Sequence, residues 1–157
     1  MPTLNQQIIS EASMSTLIPV AAIEAFKSPF SFNVWKCGIV TKARVKKAIA
    51  QGKFLDHEQW SKTVAESKNQ LPNQQQHAER IAFLVHSGWN DNIQIDVGVP
   101  SLGFIPVWPY TDGNHRICAA IIRSDMTIDA EVSGDIDLAS DIFGVEFIDD
   151  ECAESAA

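Results

Sequence analysis

Positive charge is scarce where a nucleic-acid binder would need it. Residues 81–157 hold two arginines and no lysine against fourteen Asp/Glu, whereas residues 1–80 hold ten Lys/Arg against six Asp/Glu. The net charge of −8 therefore splits into +4 and −12. The acidic half would repel phosphates, which argues against broad wrapping of nucleic acid but leaves room for a small basic groove. Cysteine is also sparse. Cys37, Cys118 and Cys152 have no close spacing, which argues against a disulfide framework or a zinc site and for reduced thiols. No run of about eighteen apolar residues is present, so no membrane-spanning helix is expected. No basic n-region with an apolar core opens the chain. A soluble, cytoplasmic protein with no membrane partner is the expectation.

What is present fits one domain. A chain of 157 residues is long enough to bury a core. The expected organisation is a flexible arm at 1–15, a single domain at 16–148, and an acidic, Ala-rich disordered tail at 149–157. Thr16–Val20 reads as a short strand, followed by a helical turn over Ala21–Phe26 and an irregular connection through Gly38. Thr41 caps a helix with Val45, Ala48 and Ile49 on one face and Gly52 as its stop. Asp56 with Gln59, and Asn73 with Gln76, are capping boxes for two more helices, the second closing at Gly88. His77 and His86 are nine apart, outside metal-pair spacing, and are expected at the surface or boundary. Ile93–Val99 alternates as a half-buried strand, and Phe104–Val107 is expected to pair with it as a hairpin. Ile128, Ala130 and Val132 alternate as a further strand, a short helix starts near Asp135, and Val145–Ile148 is a possible last strand. The fold class is α+β with α/β character: a small mixed sheet with helices, and a helical N-terminal half.

The stretch from Trp108 to Arg123 carries the functional argument. Pro106, Pro109 and Asp112-Gly113 mark a turn that runs into a helix, capped by Asp112 or Asn114, with Ile117, Ala120 and Ile121 on one face. Gly113, Asn114, His115 and Arg116 therefore fall at a helix N-terminus, where free amides and the dipole favour an anion. Glycine permits close backbone approach, and arginine can grip phosphate oxygens in a fork.

Asp112-Gly113-Asn114-His115-Arg116 followed by Ala119-Ala120 resembles the signature helix of the ParB/sulfiredoxin-like superfamily. That family's Gly, Arg and Ala correspond to Gly113, Arg116 and Ala119, and the sulfiredoxin His to His115. The sulfiredoxin Cys position is Asn114, so sulfinic-acid reduction is not implied. The resemblance implies a nucleotide (ATP, ADP or CTP) with Mg²⁺. Trp108-Pro-Tyr-Thr-Asp-Gly-Asn is also similar to the Fic loop, but that loop needs a His where Trp108 stands and lies in an all-helical fold.

The expected function is a nucleotide-binding protein, an NTPase or small phosphotransferase. His115 would contact a terminal phosphate or act as general acid, and Arg116 would neutralise developing charge. Asp112 would ligate Mg²⁺ or simply cap the helix. Against these stand an Arg116 salt bridge and a His115 cap. Asp129 and Glu131 could supply a base or ligand, or merely face solvent. Trp108 and Tyr110 could stack on a base or pack under the loop. Two alternatives carry weight. A nuclease or DNA-associated accessory protein would use Lys42, Arg44, Lys46 and Lys47, a face that also reads as plainly solvated. A non-catalytic interaction or inhibitor module would turn its acidic C-terminal half to a protein partner.

Overall fold

The computed structural model describes residues 15–147. The expected arm (residue 15 apart), Ile148 and the expected acidic tail lie outside the described residues. Ten principal elements run in the order β1 (Thr16–Pro19), α1 (Val20–Phe26), α2 (Lys42–Ala50), α3 (His57–Glu66), α4 (Gln74–Ser87), β2 (Ile93–Asp96), β3 (Tyr110–Asp112), α5 (Asn114–Arg123), β4 (Thr127–Ser133) and α6 (Ile136–Phe143). The class is α+β, with the N-terminal half mainly helical. No helix among the described residues is long and apolar enough to cross a membrane.

The sheet order is β1-β4-β2-β3. β4 is central: it pairs antiparallel with β1, placing Ile18 opposite Ile128, and parallel with β2, placing Ile93 opposite Ala130. β3 pairs antiparallel with β2, with a register shift between Gln94 and Ile95. Alternation sets the buried face: Ile18, Ile93, Ile95, Ile128 and Ala130 point into one core, joined there by Ile23, Tyr110, Ile117 and Phe143. A second core lies among α2, α4 and α5, built from Val45, Ala48, Ala78, Ile81, Cys118 and Ala119. Helix α5 belongs to both. Ile117 and Ala120 face the sheet, while Cys118 and Ala119 face α4. These small residues let α4 and α5 lie close along their lengths. The two capping boxes form as expected, Asp56 with Gln59 and Asn73 with Gln76.

Four expectations need correction. Phe104–Val107 is not a strand; it is an exposed loop held by a single bridge between Val99 and Phe104. Pro106 and Pro109 cannot donate to a ladder, and the edge of β2 is taken by Tyr110–Asp112 instead. Val145–Phe147 is irregular after α6 ends at left-handed Gly144. His77 is not a surface residue: it is 3% exposed. Neither Asp112 nor Asn114 caps α5; the N-cap is Gly113, with no side-chain cap.

Candidate functional site

The sequence of the turn before α5 explains its shape. Gly113 has φ of +95°, and a Cβ there would clash with the Ile93 side chain. Glycine is thus required both by the left-handed backbone and by its approach to β2. Asn114, freed from capping, accepts from Trp108 Nε1 at 2.9 Å and donates to the Tyr110 carbonyl at 3.0 Å. The loop and the helix start are tied together. Trp108 also stacks on Phe32, with ring centroids 4.5 Å apart. Tyr110 is core: its hydroxyl oxygen lies 2.7 and 2.8 Å from the carbonyl oxygens of Ile23 and Lys27, which share its one donor hydrogen. Burial pushes its pKa up.

With no side chain closing it, the first turn of α5 opens on a hollow of about 400 Å³. Its walls include Trp35, Trp60, Trp89 and Arg80, together with residues 111–116. That volume is within the range of small-ligand sites.

His115 lines the hollow, and His77 is buried directly behind it. His77 stands in the first turn of α4 and His115 in the first turn of α5. Because these helices pack side by side, His77 Nδ1 meets His115 Nε2 at 2.8 Å. Trp35 lies flat over both rings, at centroid distances of 4.5 and 4.6 Å, and Trp60 approaches both at a steep angle. Burial lowers the pKa of His77 to about 4. His115 keeps part of its surface open to the hollow but is crowded by protein. Burial, then the nearby His77, Arg80 and Arg116 charges, hold its pKa well below the ordinary value. Both imidazoles are therefore neutral at pH 7, one donating to the other.

Arg116 faces inward along the chain. Its guanidinium donates to the carbonyls of Asp91 and Asn92 at 3.1 and 2.7 Å, and to Asp112 Oδ2 at 3.1 Å. Its side chain is 16% exposed, against 61% for Asp112. The salt bridge weighed against the phosphate grip is present, so Arg116 clamps the turn before β2 onto α5. Asp112 and Asp91 stand at the rim of the hollow. The Asp112 carboxylate is already engaged by Arg116 through Oδ2. Among the described residues no group of three or more His, Cys, Asp or Glu could hold a metal ion.

Other candidates lie elsewhere or are engaged. Asp129 is exposed, as solvent-facing residues are, and Glu131 is half-buried. Lys42 pairs with Glu24 at 3.0 Å and Arg44 donates to Gln75 at 3.2 Å, while Lys46 and Lys47 are exposed. Cys118 is buried, and burial raises its pKa. The contributions of Trp35, Trp60 and Arg80 to the hollow, and the burial of His77 behind His115, were not read from sequence. His77 and His115 are separated by 38 residues, so no local spacing links them.

Comparison of the chain with protein-family models, with curated proteins and with solved structures finds no match.

Proposed function

We propose that the hollow at the start of α5 binds a phosphorylated small molecule of the nucleotide class. What carries the reading is an uncapped ten-residue helix opening on a hollow walled by three tryptophans and Arg80. Amides at a helix N-terminus suit phosphate oxygens, and indole faces suit a planar base. Arg80 lies one turn after His77 on α4, donates to the Leu55 carbonyl at 3.2 Å, and supplies positive charge in a partly desolvated setting. Neutral His115 contributes a hydrogen bond rather than a charge. In the tautomer in which Nε2 accepts from His77, Nδ1–H is the donor left for the ligand. ATP, ADP or CTP with Mg²⁺ is the ligand set proposed. The ion would neutralise phosphate charge, with Asp112 and Asp91 at hand. The proposed chemistry is phosphoryl transfer to water or to an acceptor hydroxyl.

The test is a thermal-shift panel of ATP, ADP, CTP and GTP with Mg²⁺ on the parent, Trp60→Ala and Arg80→Gln. A ligand that binds only the folded state raises Tm. The expected result is a rise in the parent that both variants reduce. No rise with any nucleotide, or equal rises in all three proteins, would overturn the reading.

A further inference from the structure

The fourteen residues from Val97 to Tyr110 carry no charged side chain. Within them Leu102, Phe104, Ile105 and Val107 are 71, 67, 73 and 81% exposed. Pro100, Pro106 and Pro109 punctuate the segment, and Val99 pairs with Phe104 across its neck. The apolar ridge is thus held in shape, and ordering it on contact costs little entropy. Beside it runs a mostly apolar groove of about 370 Å³, walled by Phe26, Val97, Ile105, Leu138 and Ile142, with Lys27 as its one charged lining residue.

We propose that two copies of this chain associate about a twofold axis through this patch, the ridge of each seated in the groove of the other. Three observations select a second copy as the occupant. A twofold contact must be self-complementary, so projection and recess must share one surface; here Ile105 and Pro106 belong to both. The four exposed side chains present on the order of 500 Å², at the upper end of what a monomer leaves open. Two such ridges with their groove walls reach roughly 1,200 Å² in total, the lower bound of a standard specific interface. Finally, two chains of net charge −8 repel one another, and an uncharged segment is where they can meet at least cost.

Sedimentation velocity over a roughly hundredfold concentration range should show a reversible monomer–dimer equilibrium. The dimer should strengthen as salt is raised, because screening removes the repulsion. Phe104→Asp and Val107→Asp should each abolish it. Met126→Asp, at a residue 85% exposed elsewhere, should leave it intact. Far-UV circular dichroism and Tm should match the parent, and Leu102→Asp replaces either variant that fails to fold. A parent that stays monomeric at every concentration and salt, or a dimer that survives both substitutions, overturns the proposal. So does a monomer that floats with phosphatidylcholine vesicles and loses this with Phe104→Asp, which would assign the patch to a lipid surface.

Discussion

His77 and His115 share a 2.8 Å hydrogen bond from Nδ1 to Nε2, with Trp35 stacked across both rings. The pair joins the first turns of α4 and α5, so the hollow and the packing of its two helices rest on the same atoms. Burial favours the neutral form of both rings in the folded state. In the unfolded chain a histidine titrates near 6.5, whereas folded His77 titrates at about 4. Between these values the unfolded state binds more protons, so stability is full above about pH 6.5 and falls as pH drops toward 4. Tm should decline steeply over that window, by the equivalent of a few kcal/mol. His77→Asn keeps a polar atom near Nδ1 without a titrating ring. Thermal melts from pH 7 to pH 4 should show a shallower decline in it than in the parent; an equal slope would contradict the assignment.

Gly113→Ala puts a methyl group against Ile93 at a backbone angle that L-residues rarely adopt. The strained backbone and the clash together should cost about 2–4 kcal/mol. Urea unfolding measures it. A loss below about 1 kcal/mol, the ordinary cost of a tolerated change, would mean the turn is not held as described.

Arg116→Ala removes three hydrogen bonds, two of them to the carbonyls of Asp91 and Asn92. A loss of about 1–3 kcal/mol is expected, with faster amide exchange at residues 90–94. Arg116→Lys should recover little, since an ammonium lacks the fork that serves both sides. Asp112→Asn should cost under about 1 kcal/mol, because an exposed ion pair contributes little. Equal effects of the Arg116 and Asp112 changes would contradict the clamp.

Tyr110→Phe leaves the ring in the core and removes a buried hydroxyl bonded to the carbonyls of Ile23 and Lys27. The carbonyls lose a donor that water cannot readily replace, so a loss of about 1–2 kcal/mol is expected. Chemical denaturation checks it.

Much of the secondary structure was legible because it is locally encoded. Asp56 with Gln59 and Asn73 with Gln76 announce two helix starts, and Ile128, Ala130 and Val132 announce the buried face of β4. The hairpin expectation failed because pairing stops at the Val99–Phe104 bridge, with Pro106 and Pro109 interrupting the donors beyond it. The start of α5 was placed within a residue, but Gly113 is where it is for Ile93, a contact no local pattern encodes. Of the residues expected at the site, 112–116 do border one hollow, yet Arg116 is turned to backbone carbonyls. His77 was misplaced because its burial comes from Trp35, Trp60 and His115, all distant in sequence.

The central position of β4 dictates an order of assembly. β1 at residues 16–19 and β2 at residues 93–96 share no hydrogen bond; each pairs with β4, which ends at Ser133. During synthesis the helices α2–α4 can begin to collapse on one another, but the sheet has no centre until almost the whole domain has left the ribosome. Late, long-range strand pairing is slow and leaves unpaired edges waiting. A nascent chain stalled before Thr127 would hold β1 without a partner and β2 paired only with β3, leaving open edges exposed to aggregation and to capture by chaperones.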